Sequence, residues 1–328
     1  DFLSTEKRVI RVHKKNVKNL IYLEYFSKLI EIEYTSDEEN REFLNNSENY
    51  FEHLSVIKLK NSLAGLYSAW NLAENLWQKH NYEPILKIRE DDFLKGRKIL
   101  SKMKIPHDAW FVTLHVREGK KETERSKANA KIESYMDGIR EITRKKGYVI
   151  RIGDKGTKPL PKIKNVFDYA NSEFKSEFMD IFLLANCRFH IGTASGPASV
   201  PPVFGRPILY TNCPCIGLNP NFLNSVMIPK LYFNKKEKKF LTFNEMLRGN
   251  MAWTVNNNCL NTDVKTIDNT ENDIKHGIIE MLEMTESSKK IEETSLQSRF
   301  DQARNRYGDT GQTKISKYFI EKNRNLLE

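Results

Sequence analysis

Three short stretches carry residues able to handle an anion. "HVRE" (His115 to Glu118) puts an arginine just past an apolar run, and its planar guanidinium can fork two hydrogen bonds onto phosphate oxygens. "RIGD" ends on Gly153 and Asp154, with Arg151 two residues earlier. "GTASGP" (Gly192 to Pro197) combines glycines that let backbone approach a ligand with the hydroxyls of Thr193 and Ser195. Pro197 suits the first turn of a helix, whose free N–H groups would then face the same space. Glu118 is a candidate base for a hydroxyl proton, with a solvated surface acid as its plain alternative. His115 is either a ligand contact or a hydrogen-bonded core histidine. For the small-residue turn alone, a phosphate cradle and a tight turn are equally good explanations.

These pieces become one site only if the chain between them brings them to one edge. "AWFVTLHV", "YVIRIG", "RFHIG" and "PILYT" are rich in β-branched and aromatic residues and read as buried strands. Between them, "AKIESYMDGIREITRKKG" repeats Ile132, Tyr135, Met136, Ile139 and Ile142 at helical spacing and stops at Gly147, a suitable C-terminal cap. "KSEFMDIFLLANC" is apolar on nearly all sides and reads as a buried helix. Its lone charge, Asp180, needs a partner such as Arg151 or Arg188, unless it lies on an exposed edge. The alternation predicts an α/β fold with a parallel sheet covered on both faces. In such sheets ligands bind outside the carboxyl ends of the strands, where the three stretches fall.

The flanks read differently. Residues 1–105 are expected to be mixed and mostly helical after one strand candidate, "RVIRV". "SLAGLYSAWNLAENLW" (Ser62 to Trp77) has Leu63, Leu66, Trp70, Leu72 and Leu76 near helical spacing, which predicts one buried face. "EDDFLKGRKILSKM" begins with acids, so Asp91 and Asp92 are assigned to capping rather than to a metal motif. Residues 106–286 form the expected nucleotide-binding domain. Within them Thr242 and Glu245 predict a capping box, and Ile274, Ile278, Met281 and Leu282 one helical face. Residues 287–328 are expected as a peripheral helical extension. The loop from Gly119 to Ala130 lacks large apolar residues and is expected to be mobile over the site.

Composition narrows the partners. The 328 residues carry a formal charge of +10, which favours an anionic partner. The basic residues are scattered in groups such as "KKNVK" and "NKKEKK", without a nucleic-acid module, so nucleic acid is not expected. Four cysteines, Cys187, Cys213, Cys215 and Cys259, form no C-x-x-C pair and complete no tetrahedral set, so no metal and no other cofactor is expected. No apolar run is long enough for a membrane helix, and the expected location is cytoplasmic.

"FVTLHVREG", "YVIRIGDKGTKPLP", "FDYANSEFKSEFMDIFLLANCRFHIGTASGP" and "VMIPKLYF" together resemble glycosyltransferases of bacterial surface-polysaccharide gene clusters, from Trp110 to Leu247. More distantly, "HVRE" is similar to the His-Val-Arg-Arg motif of the α1,6- and protein O-fucosyltransferases, with Glu118 in place of the second arginine. "FMDIFLLANCRFHIGTASGPA" is similar to their second motif and to the nucleotide-contacting turn of the heptosyltransferases. The resemblance implies a GT-B fold, two Rossmann-like domains facing across a cleft, with residues 1–105 on the acceptor side. It implies a nucleotide-sugar donor, a GDP-sugar being favoured, and a glycan or lipid-linked acceptor, with peripheral contact at the inner membrane face. Arg117 would contact the diphosphate, and Thr193, Ser195 and Gly196 the phosphates or ribose. A nucleotide-sugar epimerase of the same fold and a non-catalytic nucleotide- or glycan-binding module remain as alternatives.

Overall fold

The computed structural model describes residues 9–45, 56–59, 62–119, 126–217, 224–248, 252, 263–287, 293–307, 311 and 313–328. Before residue 106 the chain builds two small ribbons. β1 (Val9–Val12) and β2 (Glu31–Tyr34) pair in parallel, and β3 (Val56–Leu59) and β4 (Ser62–Gly65) form an antiparallel pair. The remaining strands are β5 (Phe111–His115), β6 (Tyr148–Arg151), β7 (Val166–Phe167), β8 (His190–Gly192), β9 (Ile208–Cys213), β10 (Val226–Pro229), β11 (Leu231–Asn234), β12 (Lys239–Phe240), β13 (Val264–Ile267) and β14 (Lys314–Ile315).

Seven of these strands form one sheet in the order β14-β10-β9-β8-β5-β6-β7, and among the described residues every ladder in it is parallel. The α/β class expected from the alternation is the class observed. Starting from β5 the chain walks outward through β6 to β7, then returns to β8 on the other side of β5 and walks outward again. This is the strand order of dinucleotide-binding sheets, and it places the reversal between β5 and β8. In sheets of this order a crevice forms at the carboxyl ends there, because the two flanking connections leave in opposite directions.

Both faces of the sheet are covered. Val112, Leu114, Val149, Ile191 and Leu209 pack with Ile139, Ile142, Ile274, Ile278 and Met281 from the helices Met136–Arg144 and Glu271–Ser287. On the other face Phe111, Ile150 and Ile152 pack with Phe182 and Leu183 of the helix Glu177–Asn186 and with Leu100 of the helix Glu90–Lys102. A three-stranded sheet, β12-β11-β13, lies beside the main one. The capping box is made reciprocally, Thr242 N–H to Glu245 at 2.7 Å and Glu245 N–H to Thr242 Oγ1 at 3.1 Å.

Several expectations need correction. The helix placed at Ser62 to Trp77 starts at Leu66, because Ser62–Gly65 pairs with β3. Leu72, assigned to its buried face, is 38% exposed. Asp92 does not cap its helix: Arg89 holds the cap position, and Asp92 accepts from Tyr25 and Arg89, both at 2.6 Å. Gly147 does not take the left-handed cap; Lys146 does, at φ 62°. Gly147 is small for another reason: a Cβ there would lie 2.2 Å from the Trp110 ring. The closing residues are not peripheral. β14 extends the main sheet, and Phe300, Phe319, Ile320 and Leu326 are buried in the same cluster as its strands. β10 and β14 were not expected as strands at all.

Candidate anion-binding site at the switch point

The turns after β5 and β8 are bound to each other as well as adjacent. Thr193 Oγ1 accepts the Arg117 backbone N–H at 3.0 Å, and Thr193 N–H donates to His115 O at 3.3 Å. His115 Nδ1 lies 2.9 Å from Ser195 Oγ, and Ser195 Oγ donates to Thr193 O at 3.1 Å. The sequence-predicted residues His115, Arg117, Gly192, Thr193, Ser195, Gly196 and Pro197 are therefore brought together. The hydroxyls of Thr193 and Ser195 act first as cross-links between the two turns.

Pro197 does not open a long helix. Gly196–Ser199 is a single 3-10 turn, followed by another at Pro201–Phe204. Ser195 occupies its N-cap position without capping it, since its hydroxyl is used on His115 and Thr193. Among the described residues the N–H groups of Ala194, Ser195 and Gly196 have no intramolecular acceptor. A Cβ on Gly196 would meet nothing within 4 Å, so the turn faces open space. Ser195 is extended (φ −153°, ψ 162°), so the Ser195 and Gly196 N–H groups point to opposite sides, and the Gly196 N–H, at the exposed start of the 3-10 turn, is the one open to an anion.

Charges of both signs lie around this space. Arg117 is half-buried, and its Nε is sealed from solvent with no hydrogen-bond partner. A buried unsatisfied donor costs free energy, and a ligand acceptor would recover it once the side chain turns Nε out to meet it. Arg151, 3% exposed, does not reach out: it donates to Asp168 at 2.8 Å and to Lys158 O at 3.1 Å. Its charge is balanced locally by Asp168, and it offers no direct contact. Burial pushes the His115 pKa down to about 4; the exposed Asp154 opposes this, while Arg151, Arg117 and Lys175 reinforce it. The imidazole is thus neutral near pH 7.

Lys175 was not singled out from the sequence. Its Nζ is held by both oxygens of Asp180, at 2.6 and 2.5 Å, and Asp180 also accepts from Tyr169 at 2.9 Å. Asp180 is therefore partnered by Lys175 and Tyr169, not by Arg151 or Arg188; Arg188 donates instead to Thr285 and Leu282 O. The available signal was Ser176, an N-cap that puts Asp180 in the first turn beside the preceding lysine. Glu118 is exposed, and its Oε1 accepts the Ile132 N–H at 3.2 Å. Gly153 and Asp154 begin the turn after β6, where Thr157 donates to Asp154 O at 3.0 Å.

Of the loop from Gly119 to Ala130, residues 120–125 lie outside the described residues, so its expected mobility does too. Its ends are tied, Ala130 N–H to Arg117 O at 2.9 Å and Asn129 to Gly119 O at 2.9 Å. Cys187, Cys213 and Cys215 are buried, and Cys259 lies outside the described residues. Among the described residues no group of three histidines, cysteines or acids is arranged to hold a metal ion, and no helix is long and apolar enough to cross a membrane.

No protein-family model matches the chain, and no curated protein matches it. Among solved structures, a glycosyl transferase family 9 protein from Veillonella parvula DSM 2008 is similar over 44% of this chain and 42% of that chain, at 12% identity and a TM-score of 0.33. The beta Kdo 2,4 transferase KpsC of Thermosulfurimonas dismutans is similar over 66% of this chain and 84% of that chain, at 13% identity and a TM-score of 0.27. The chain spans less than half the length of the first of these.

Proposed function

We propose that the chain is a metal-independent glycosyltransferase of GT-B type that takes a nucleotide sugar at the β5/β8 switch point. The observation that carries the nucleotide half is the unpartnered, buried Arg117 Nε, on a turn bonded through Thr193 to the turn that carries the free Gly196 N–H. A diphosphate offers acceptor oxygens to both. The transfer half rests on the resemblance of the motifs between Trp110 and Leu247, and so does the acceptor, a glycan or lipid-linked precursor of a surface polysaccharide. Residues 1–105 take the acceptor side in this proposal, and the net charge of +10 favours an anionic donor or an anionic membrane face. A GDP-sugar is the favoured donor.

In the reaction, the bond from the anomeric carbon to the diphosphate breaks with its electron pair leaving on the diphosphate. An acceptor oxygen forms the new bond and gives up its proton. Arg117 and the Gly196 N–H hold the charge that develops on the departing phosphate.

Melting curves with GDP, UDP, ADP and CMP, then with their sugars, provide the test. Stabilisation by one nucleoside diphosphate, lost in Arg117→Ala, is expected, and no stabilisation by any of them overturns the proposal. Product analysis then separates the rivals. An isomerised free nucleotide sugar identifies an epimerase, and binding without diphosphate release identifies a non-catalytic module.

A further inference from the structure

Ser195 has one hydroxyl proton and two polar contacts. Thr193 O, 3.1 Å away, can only accept, so the Ser195 proton is committed there. His115 Nδ1, 2.9 Å away, must then supply the other proton, since two lone pairs facing each other at that distance would repel. Only the tautomer with a proton on Nδ1 makes both contacts attractive. The same tautomer leaves Nε2 with a bare lone pair, and among the described residues Nε2 has no partner; His115 is half-buried, its ring beside Gly153 at the start of the turn after β6. His190 Nε2, two residues before Gly192, is by contrast sealed in the core without a partner.

An unpartnered lone pair beside an anion site rejects phosphate and accepts a hydroxyl. Building on the glycosyl-transfer proposal, we propose that His115 Nε2 is the base that receives the acceptor hydroxyl proton, with Ser195 and Thr193 as positioning residues that fix its tautomer. Glu118, the base suggested by the sequence, spends one carboxylate oxygen on the Ile132 N–H. As the acceptor oxygen bonds to the anomeric carbon and the diphosphate leaves, the oxygen becomes strongly acidic. Its proton passes to Nε2, and the imidazolium releases it to water. Asp154 faces His115 and stabilises that transient charge, while Arg117, Arg151 and Lys175 shorten its life. The low pKa keeps the base unprotonated at every pH above about 5.

The decisive measurement needs no substrate. Long-range proton–nitrogen correlation on ¹⁵N-histidine protein, with His115 assigned from His115→Asn, is expected to show Nδ1 protonated and Nε2 bare. Ser195→Ala is expected to release that preference. A proton on Nε2 of His115 in the free protein overturns the proposal whatever the enzyme does. The kinetic arm uses GDP release from GDP-mannose and GDP-fucose, and from the corresponding UDP-sugars, in the presence of glycan acceptors. His115→Asn keeps a donor at the Nδ1 position and removes Nε2. It is expected to lower kcat by about 100-fold or more, with GDP binding changed less than twofold. Undiminished kcat in His115→Asn, with loss in Glu118→Gln, overturns the proposal and leaves glycosyl transfer standing. No diphosphate release by the wild-type protein from any nucleotide sugar overturns both.

Discussion

Replacing Arg117 with methionine should move two observables in opposite directions. The Arg117 backbone N–H, bonded to Thr193 Oγ1 at 3.0 Å, survives the change, so the turn geometry is retained. What is removed is a guanidinium whose Nε is buried without a partner. An unsatisfied buried donor costs about 1–3 kcal/mol, so the ligand-free protein should gain on the order of 1 kcal/mol, read as a rise of about 1–2 °C in Tm. Charge-assisted bonds to phosphate are worth about 1.5–3 kcal/mol each. Losing about 3 kcal/mol in all weakens nucleoside diphosphate binding by roughly 150-fold. Calorimetric titration gives the affinity, and a melting curve without ligand gives the stability. A free protein that melts several degrees lower, with affinity changed less than threefold, would mean that Arg117 is a packing residue and that the site lies elsewhere.

Two further outcomes concern the scaffold. Burial lowers the pKa of His190 to about 3 and that of His115 to about 4, against 6.5 for an ordinary histidine. The unfolded chain therefore binds more protons below pH 6.5, so the stability these groups confer is full above 6.5 and declines as pH falls toward 4 and 3. Tm should drop along that interval, and more gently in His190→Leu; an equal slope in both would refute the assignment. Gly147→Ala forces a Cβ to 2.2 Å from Trp110 and should cost about 1–3 kcal/mol. Trp110→Phe in the same chain should return part of the lost Tm, and an unchanged Tm in the single variant would show that the ring yields freely.

The sheet and its carboxyl-end turns were legible because each central strand is a run of β-branched and aromatic residues ended by glycine or a charge. The two amphipathic helices on one face were legible for the same local reason. β10 was not, since "VMIP" is four residues ended by a proline, and β14 has only two residues. Their strand character comes from the neighbours they pair with. Leu72 was misassigned because periodicity states which residues share a face, not whether anything covers that face. At the site, Arg117 and Ser195 could be found from type and position. The bond from His115 to Ser195 could not, because it depends on which strand returns beside β5. Lys175 was invisible for a related reason: a lysine in a polar connection has no pattern until Asp180 fixes its direction.

β5 to β8 is the only strand ladder, among the described residues, that joins the outward walk β5-β6-β7 to the outward walk β8-β9-β10-β14. The contacts that rivet it at its carboxyl end, His115 to Ser195 and Arg117 to Thr193, join residues 80 and 76 positions apart. The crevice is therefore a seam between two halves of one sheet, and neither half can hold a ligand until the other has docked. A molecule that grips both turns becomes an added stitch across that seam, slowing exchange of the β5 and β8 amides far below its own footprint.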